Sequence, residues 1–157
     1  MRLRRRRLER PLVYLDRAAT GGLIWIGLAA AVGARRRDAR PAIATARNSW
    51  IASLVAHVLA RAVDRKRPLL RRVAIGRLTE PSSPSFPSRH AATAFAGATT
   101  LGLRERELLP ALVALAAAVA GSRVYLGLHY RSDVAAGAAV GTAVTAADRL
   151  RSSAPRR

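Results

Sequence analysis

The 157-residue chain alternates apolar runs rich in alanine with short clusters of arginine. The first run, residues 18–34, carries no charge over 17 positions and is closed by three consecutive arginines at 35–37. Alanine favours the helix, and helices built from small side chains pack closely, as membrane helices do. Four more runs follow, at residues 41–60, 91–103, 108–122 and 134–147. We therefore predict an all-α integral membrane helical bundle with about five transmembrane helices and no strand.

The last three apolar runs are short for membrane helices. At 13 to 15 residues each, they cover about 20 to 23 Å as helix, against about 30 Å for the hydrocarbon core of a bilayer. On length alone they also fit the core helices of a soluble bundle. We favour membrane helices because polar motif residues extend the runs, and because the joining segments are short and charged, as at residues 104–107.

The two ends of the chain are strongly basic. Residues 1–17 contain seven arginines interspersed with leucines, a pattern that fits a basic amphipathic helix on an anionic membrane surface or, equally, a solvated charged tail. We divide the chain into this N-terminal segment, 1–17, a membrane-embedded domain, 18–148, and a basic C-terminal tail, 149–157. Because the chain contains no cysteine, disulfides play no part in its fold.

The net charge predicts an anionic partner. Lysine and arginine number 28 against nine aspartates and glutamates, for a formal charge of +19. By composition alone the partner would be nucleic acid, an anionic lipid surface or a phosphate substrate. The arginines here lie between apolar runs, as in a protein whose charges flank buried helices. We therefore expect membrane lipids and a lipid phosphate substrate as partners, and no nucleic acid.

Two short stretches hold two of the three histidines. In the stretch from Ser122 to Asp133, His129 and Asp133 stand four residues apart, so a helix beginning near His129 would place both on one face. The carboxylate could then accept a proton from the imidazole and fix its tautomer, which leaves the other nitrogen available as a base or nucleophile. Arg123 adds a planar fork of donors suited to phosphate oxygens.

The other stretch is Pro87-Ser88-Arg89-His90. The prolines at 81, 84 and 87 exclude a helix before Ser88, which makes Ser88 the predicted N-cap of a helix over the apolar run that follows. The start of a capped helix offers unpaired backbone N–H groups and the positive end of a dipole, which together bind anions. His90 would lie in the first turn of that helix, able to donate a proton to a leaving oxygen.

These stretches, preceded by a basic cluster at residues 64–68, resemble in this order the signature of the type-2 phosphatidic acid phosphatase superfamily of lipid phosphate phosphatases. That signature is K-x6-R-P, then P-S-G-H, then S-R-x5-H-x3-D. The third element matches at every fixed position from Ser122 to Asp133. The resemblance spans residues 60–133 and does not extend to the first forty residues.

Two positions depart from the family signature. Arg89 stands where the second element has glycine, and Ala60 stands where the first element has lysine. Arg67 and Pro68 of the first element match. Arg61 is the nearest substitute for the missing lysine, although a shift of one residue turns a helical side chain by about 100°.

The resemblance implies a reaction without metal or cofactor. His129 would attack the phosphorus of a lipid phosphate ester and form a phosphohistidine, while Asp133 holds and charges its ring. His90 would protonate the departing hydroxyl and then activate the water that releases phosphate. The implied phosphate-binding residues are Arg61, Arg67, Ser88, Arg89, Ser122 and Arg123.

Location and activity have open alternatives. A multi-pass protein of the cell membrane is expected, and the resemblance to bacterial members places the site on the outer face, whereas the count of arginines by face favours the cytoplasm. The alternatives to an enzyme are an impaired family member that binds lipid phosphate, suggested by Ala60 and Arg89, and a basic non-enzymatic protein of a membrane surface or nucleic acid. The sequence selects neither the lipid nor the oligomeric state.

Overall fold

The computed structural model describes residues 11–15, 17–68 and 83–153, and this part of the chain is helical with no strand. Its elements therefore confirm the predicted all-α class. The described residues form five α-helices of 14 residues or more, which we number in chain order: α1 (Leu23–Arg36), α2 (Arg40–Val63), α3 (Arg89–Arg104), α4 (Leu109–Tyr125) and α5 (Arg131–Ser153). How many of them cross a membrane stays a prediction.

The segment before α1 packs on the bundle. Residues 11–15 and 17–19 are helical and lead through the 3-10 turn Thr20–Gly22 into α1. Gly21 and Gly22 have φ of 66° and 79°, which a residue with a Cβ adopts at a cost. Val13 is buried against the loop that follows α4. Residues 1–10, which carry most of the predicted amphipathic segment, lie outside the described residues, so the domain boundary after residue 17 stays a prediction.

The helices extend beyond the apolar runs because polar residues and prolines form their ends. Ser88 caps α3 as predicted, since its Oγ accepts from the N–H of Ala91 at 3.4 Å. Proline occupies the first turn of α2 and of α4, where its missing N–H has no cost. Helix α5 includes residues 149–153, which the sequence analysis assigned to the tail, and is about 34 Å long.

Two helical stretches of the described chain, Pro11–Arg36 and Arg106–Tyr125, are long and apolar enough to span a bilayer. Helix α2 has an apolar face that is exposed on the surface of the bundle. Ile43, Trp50, Leu54 and Val58 recur along one side of it and are 53 to 75% exposed. An exposed apolar stripe of this length is unfavourable in water but suits contact with lipid.

Helix α3 is the centre of the bundle and contacts α2, α4 and α5. Its small side chains permit close approach, and the fully buried Trp25 of α1 packs directly over Gly97. A Cβ built at Gly137 or Gly141 of α5 would overlap a backbone oxygen of α3. Gly137 and Gly141, which form a G-x-x-x-G pair, therefore serve packing within the chain.

A buried polar network links α2, α3 and α5 at the end of the bundle away from the histidines. The Nδ2 of Asn48 donates to Thr100 Oγ1 and to Asp148 Oδ2, each at 3.1 Å. Arg47 forms an ion pair with the same carboxylate, and Thr145 hydrogen-bonds to Thr100 at 3.0 Å. Asn48 lies about 22 Å along α2 from its last residue.

Candidate active site

The motif stretches meet at one end of the bundle, where α2 and α4 end and α3 and α5 begin. Hydrogen bonds join the connecting segments. The N–H of Ser88 donates to the carbonyl of Asp133 at 2.9 Å, and the N–H of Ser85 donates to the carbonyl of Arg65 at 2.7 Å. Arg67 Nη1 donates to the carbonyl of Leu128 at 3.0 Å. The structure thus brings the three predicted stretches together.

His129 is held in a buried turn that follows α4. Gly127, with φ of 73°, reverses the chain, and the N–H groups of Leu128 and His129 both donate to the carbonyl of Arg123. The imidazole Nδ1 lies 2.8 Å from the carbonyl oxygen of Ser85, and Nε2 lies 3.0 Å from Nη1 of Arg67. Because a carbonyl only accepts and a guanidinium only donates, the proton belongs on Nδ1 and the lone pair on Nε2.

Asp133 has a different partner from the one that the sequence predicted. Its Oδ2 is 3.6 Å from His129 Nδ1, beyond hydrogen-bond distance, and the Ser85 carbonyl takes that proton instead. The reason is local, because Asp133 is the third residue of α5 and its Oδ2 caps the helix by accepting from the N–H of Tyr130 at 2.9 Å. The side chain is completely buried, so the carboxylate still acts on the imidazole as a neighbouring charge.

Arg67 is fixed by backbone and side-chain oxygens of the segment before α3. Its Nε donates to the carbonyl of Ser83 at 2.9 Å, and its Nη2 donates to Ser83 Oγ and to the carbonyl of Pro84, each at 3.2 Å. Burial and then the charges of Arg123 and Arg89 lower the pKa of Arg67 to about 10. Arg67 therefore remains charged at neutral pH and points at His129 Nε2.

The same surroundings keep His129 neutral. Burial and then the charges of Arg67 and Arg123 lower its pKa to about 2, against which the hydrogen bond to Ser85 works only in part. His90 also lowers this pKa, so the two histidines lie within one electrostatic neighbourhood. A neutral imidazole with an unprotonated nitrogen is the form that a nucleophile requires.

The start of α3 supplies the second half of the site. Ser88 is fully buried, and His90 is the second residue of the helix, partly accessible, as the sequence predicted. Arg89 lies between them and is exposed. Its charge acts on Arg67, so it adds positive potential at the entrance to the site.

The other three predicted phosphate ligands lie in different surroundings. Arg123 is buried, and its charge acts on both Arg67 and His129. The hydroxyl of Ser122 donates at 2.6 Å to the carbonyl of Val119 in its own helix. Arg61 is exposed, and its side chain has no hydrogen bond or ion pair with the site among the described residues. Ala60, at the position of the family lysine, is the residue that faces inward.

The sequence analysis missed two residues that the site uses. Ser85 acts through its backbone carbonyl, for which the identity of the side chain gives no signal. Arg65 lies in the basic cluster that we noted, but nothing in its spacing distinguished it from its neighbours. Its guanidinium donates to Asp133 Oδ1 at 3.0 Å. Among the described residues, no group of three histidine or carboxylate side chains is placed to hold a metal ion.

Comparisons with known proteins place the chain in a family and match its fold. The sequence pattern of the PAP2 superfamily covers residues 42–150, which includes every motif residue above. The chain belongs to the PAP2 superfamily. The resemblance predicted from the three motifs is therefore confirmed.

Individual relatives are consistent with that assignment. A decaprenylphosphoryl-5-phosphoribose phosphatase from Mycobacterium tuberculosis (strain ATCC 25618 / H37Rv) is 36% identical over 137 residues, which cover 87% of this chain and 75% of that protein. One from Mycolicibacterium smegmatis is 38% identical over 115 residues, which cover 72% of this chain and 62% of that protein. The crystal structure of a transmembrane PAP2 type phosphatidylglycerolphosphate phosphatase from Bacillus subtilis superposes with a TM-score of 0.74 at 21% identity, over 96% of this chain and 79% of that chain.

Membership of this superfamily and the phosphatase relatives identify the protein as an enzyme, a phosphoric monoester hydrolase, as predicted. The transmembrane neighbour of the same fold, together with the two apolar spans, indicates a membrane protein. The expected lipid phosphate as substrate agrees with the relatives at the level of substrate class.

Proposed function

We propose that this protein removes a terminal phosphate from a polyprenyl-linked lipid through a phosphohistidine intermediate on His129. One observation carries the proposal. His129 turns Nε2 toward the Arg67 guanidinium at 3.0 Å, while the Ser85 carbonyl holds the proton on Nδ1 at 2.8 Å. A phosphate bound by Arg67 would therefore lie beside a neutral ring nitrogen that carries no proton.

The proposed reaction has two displacements at phosphorus. In the first, the Nε2 lone pair of His129 forms a bond to phosphorus, the bond from phosphorus to the lipid oxygen breaks, and His90 donates its proton to that oxygen. The ring then carries a positive charge, which the Ser85 carbonyl and the buried Asp133 stabilise at Nδ1. In the second, a water attacks phosphorus and gives its proton to His90, and the P–N bond breaks to release phosphate.

The charge of the transferring group would be balanced by protein cations. Arg67 and Arg123 provide guanidinium groups beside His129, and the capped start of α3 provides backbone N–H groups. Arg89 would add attraction for the anion at the entrance. We exclude Ser122 and Arg61 from the proposed direct ligands, because the former donates within its helix and the latter is directed outward.

The polyprenyl class is favoured over glycerolipids by the curated relatives, which act on a decaprenylphosphoryl phosphoribose. The relevant feature of such a molecule is a phosphate monoester on a sugar that a second phosphate links to a prenyl chain. A cationic site of this kind would bind the terminal dianion, and the extra cation of Arg89 suits a substrate that carries more than one phosphate.

We further propose that the five helices cross the cell membrane with the active site at its outer face. Arg67, Arg89 and Arg123 have a proposed use in phosphate binding, so these three do not count toward placing that end in the cytoplasm. The opposite end carries exposed arginines without such a use, which the positive-inside rule places in the cytoplasm; among them are the arginines at 35, 36, 37, 40, 104 and 106.

The proposal is tested by phosphate release from purified protein in detergent. The substrates to compare are a polyprenyl-phosphate-linked sugar phosphate, a polyprenyl monophosphate, a polyprenyl diphosphate and phosphatidate. We expect the first to have the highest kcat/KM, and His129→Gln to reduce release to background. Rapid quench with a substrate labelled in its terminal phosphate should leave acid-labile, base-stable label on the wild-type protein alone.

The same assay addresses the alternative of a lipid phosphate binder without catalysis, which the sequence analysis left open. Equal background release by wild type and His129→Gln on all four lipids would refute the enzymatic proposal. Saturable binding of the lipids with no turnover would then identify a binder.

A further inference from the structure

The carboxylate of Asp133 is held by a residue outside the family signature. Asp133 is completely buried, and one of its oxygens, Oδ2, is used by the N–H of Tyr130. The other, Oδ1, accepts from Arg65 Nη1 at 3.0 Å. A buried carboxylate needs a nearby cation and satisfied oxygens, and here Arg65 supplies both.

Arg65 is itself held on three sides. The same Nη1 donates to Ser132 Oγ at 2.8 Å, and the guanidinium carbon lies 4.2 Å from the ring centroid of Tyr130. Although 40% of the side chain is exposed, its charged end is therefore placed by two hydrogen bonds and a cation–π contact. All of these contacts connect the segment after α2 to the first turn of α5.

Arg65 and Arg67 lie on the two functional sides of the His129 ring. Arg67 faces Nε2, where the phosphate would bind, whereas Arg65 reaches the Nδ1 side through Asp133. The Oδ2 of Asp133 lies 3.6 Å from Nδ1. A modest rotation of the carboxylate would therefore lengthen or shorten this distance. Whatever fixes the carboxylate thus fixes the charge that faces Nδ1.

We propose, on the basis of the function proposed above, that Arg65 is a positioning residue. It orients Asp133 so that Oδ2 faces His129 Nδ1 and stabilises the positive charge that the ring acquires when Nε2 bonds to phosphorus. Arg65 does not contact the phosphate, because its donors are directed at Ser132 and Asp133.

The test compares Arg65→Met, which removes the charge and the donors, with Arg65→Lys, which keeps a cation and three donors. We expect kcat of Arg65→Met to fall by roughly tenfold to a hundredfold, the size of effect that misplacing a reacting group produces, with KM changed by less than about threefold. Arg65→Lys should recover most of the loss. Arg131→Met removes an exposed arginine two residues from Asp133 and should leave kcat unchanged.

A double-mutant cycle with Asp133→Asn separates positioning from a general structural effect. If Arg65 acts through Asp133, adding Arg65→Met to Asp133→Asn should lower kcat little further. An unchanged kcat with a raised KM, or two losses that multiply, would overturn the proposal. If Arg65→Met does not elute as a folded protein in detergent, Arg65→Gln, which removes the charge but keeps two N–H donors, is carried through the same cycle and judged in the same way. Failure of the proposed function is a separate result, because wild type would then match His129→Gln.

Discussion

At the scale of single residues, the burial of His129 couples folding to pH. The folded pKa is about 2, whereas an unfolded histidine titrates near 6.5. As pH falls below about 6.5, the unfolded chain gains a proton at this position before the folded chain does, so the free energy of unfolding decreases. The contribution of one such group is at most about 1.4 kcal/mol per pH unit.

We therefore expect the Tm of the protein in detergent to fall as pH is lowered from 7 to 4, and to fall less steeply in His129→Gln. The slope, rather than the Tm itself, is the quantity to compare, because the substitution also changes the contact with Ser85. Parallel slopes for the two proteins would contradict the low pKa. The acid limb of kcat/KM should not report His129, since it stays neutral throughout this range.

A substitution at Arg89 tests whether this residue assists substrate binding or impairs the site. It is exposed and its charge acts on Arg67, so we expect Arg89→Gly to raise KM for a lipid phosphate several-fold while kcat changes by less than about threefold. The KM effect should shrink at high salt. Arg104→Gly, at the other end of the same helix, is the matched control. A large rise in kcat with unchanged KM would instead mean that Arg89 impairs the site.

The residue scale also shows how far the sequence could predict this site. His129, His90, Arg67 and Arg123 are found together because their roles require particular side chains at a spacing that the motifs preserve. The acceptor for Nδ1 was assigned to Asp133 and is Ser85, because a backbone carbonyl leaves no trace in the residue type. Arg61, which the sequence offered in place of the family lysine, is exposed near the end of α2, because the position that faces inward is that of Ala60.

At the scale of elements, the small residues of α5 set the position of the Asp133 carboxylate. Gly137 packs against the carbonyl of Ser88, one turn of helix after Asp133, and the N–H of Ser88 donates to the carbonyl of Asp133. The distance between α3 and α5 therefore controls how the two halves of the site meet. A side chain at Gly137 would separate the helices where the site is assembled.

We expect Gly137→Ala to lower the stability by about 1 to 3 kcal/mol, as overpacking of a close contact does, and to reduce kcat at least tenfold. Gly121→Ala is the control, because a Cβ at that position in α4 meets no atom within 4 Å. Thermal unfolding in detergent and phosphate release are the two measurements. Wild-type values for Gly137→Ala would show that the helices can move apart without loss.

The helix ends were less predictable than the helices. The apolar runs predicted every long helix of the described chain, but α5 begins three residues earlier and ends six residues later than its run. Hydropathy does not predict the capping by Asp133 or the amphipathic last turns. These helix ends are determined by hydrogen bonds and by contacts with neighbouring helices. The two left-handed glycines before α1 were likewise passed over, since a glycine pair in an apolar run is also compatible with continuous helix.

At the scale of the whole molecule, the two ends of the bundle have separate tasks. One end gathers the histidines and their cations, whereas the other is closed by the network around Asn48 and Asp148 and by the ion pair of Arg36 with Glu105 at 2.6 Å. Both ends are basic, so total charge does not orient the protein in a membrane. The distinction lies in whether the arginines are used in the site.

This distinction predicts an orientation that labelling can measure. The chain has no cysteine, so single cysteines introduced at exposed positions report their own side of the membrane. Lys66→Cys lies at the catalytic end and Arg106→Cys at the opposite end, and both residues are exposed. With a membrane-impermeant maleimide on intact cells, we expect Lys66→Cys to react and Arg106→Cys to react only after permeabilisation. The reverse pattern would place the site in the cytoplasm, and equal labelling of both positions would contradict a bundle whose two ends lie on opposite sides of the membrane.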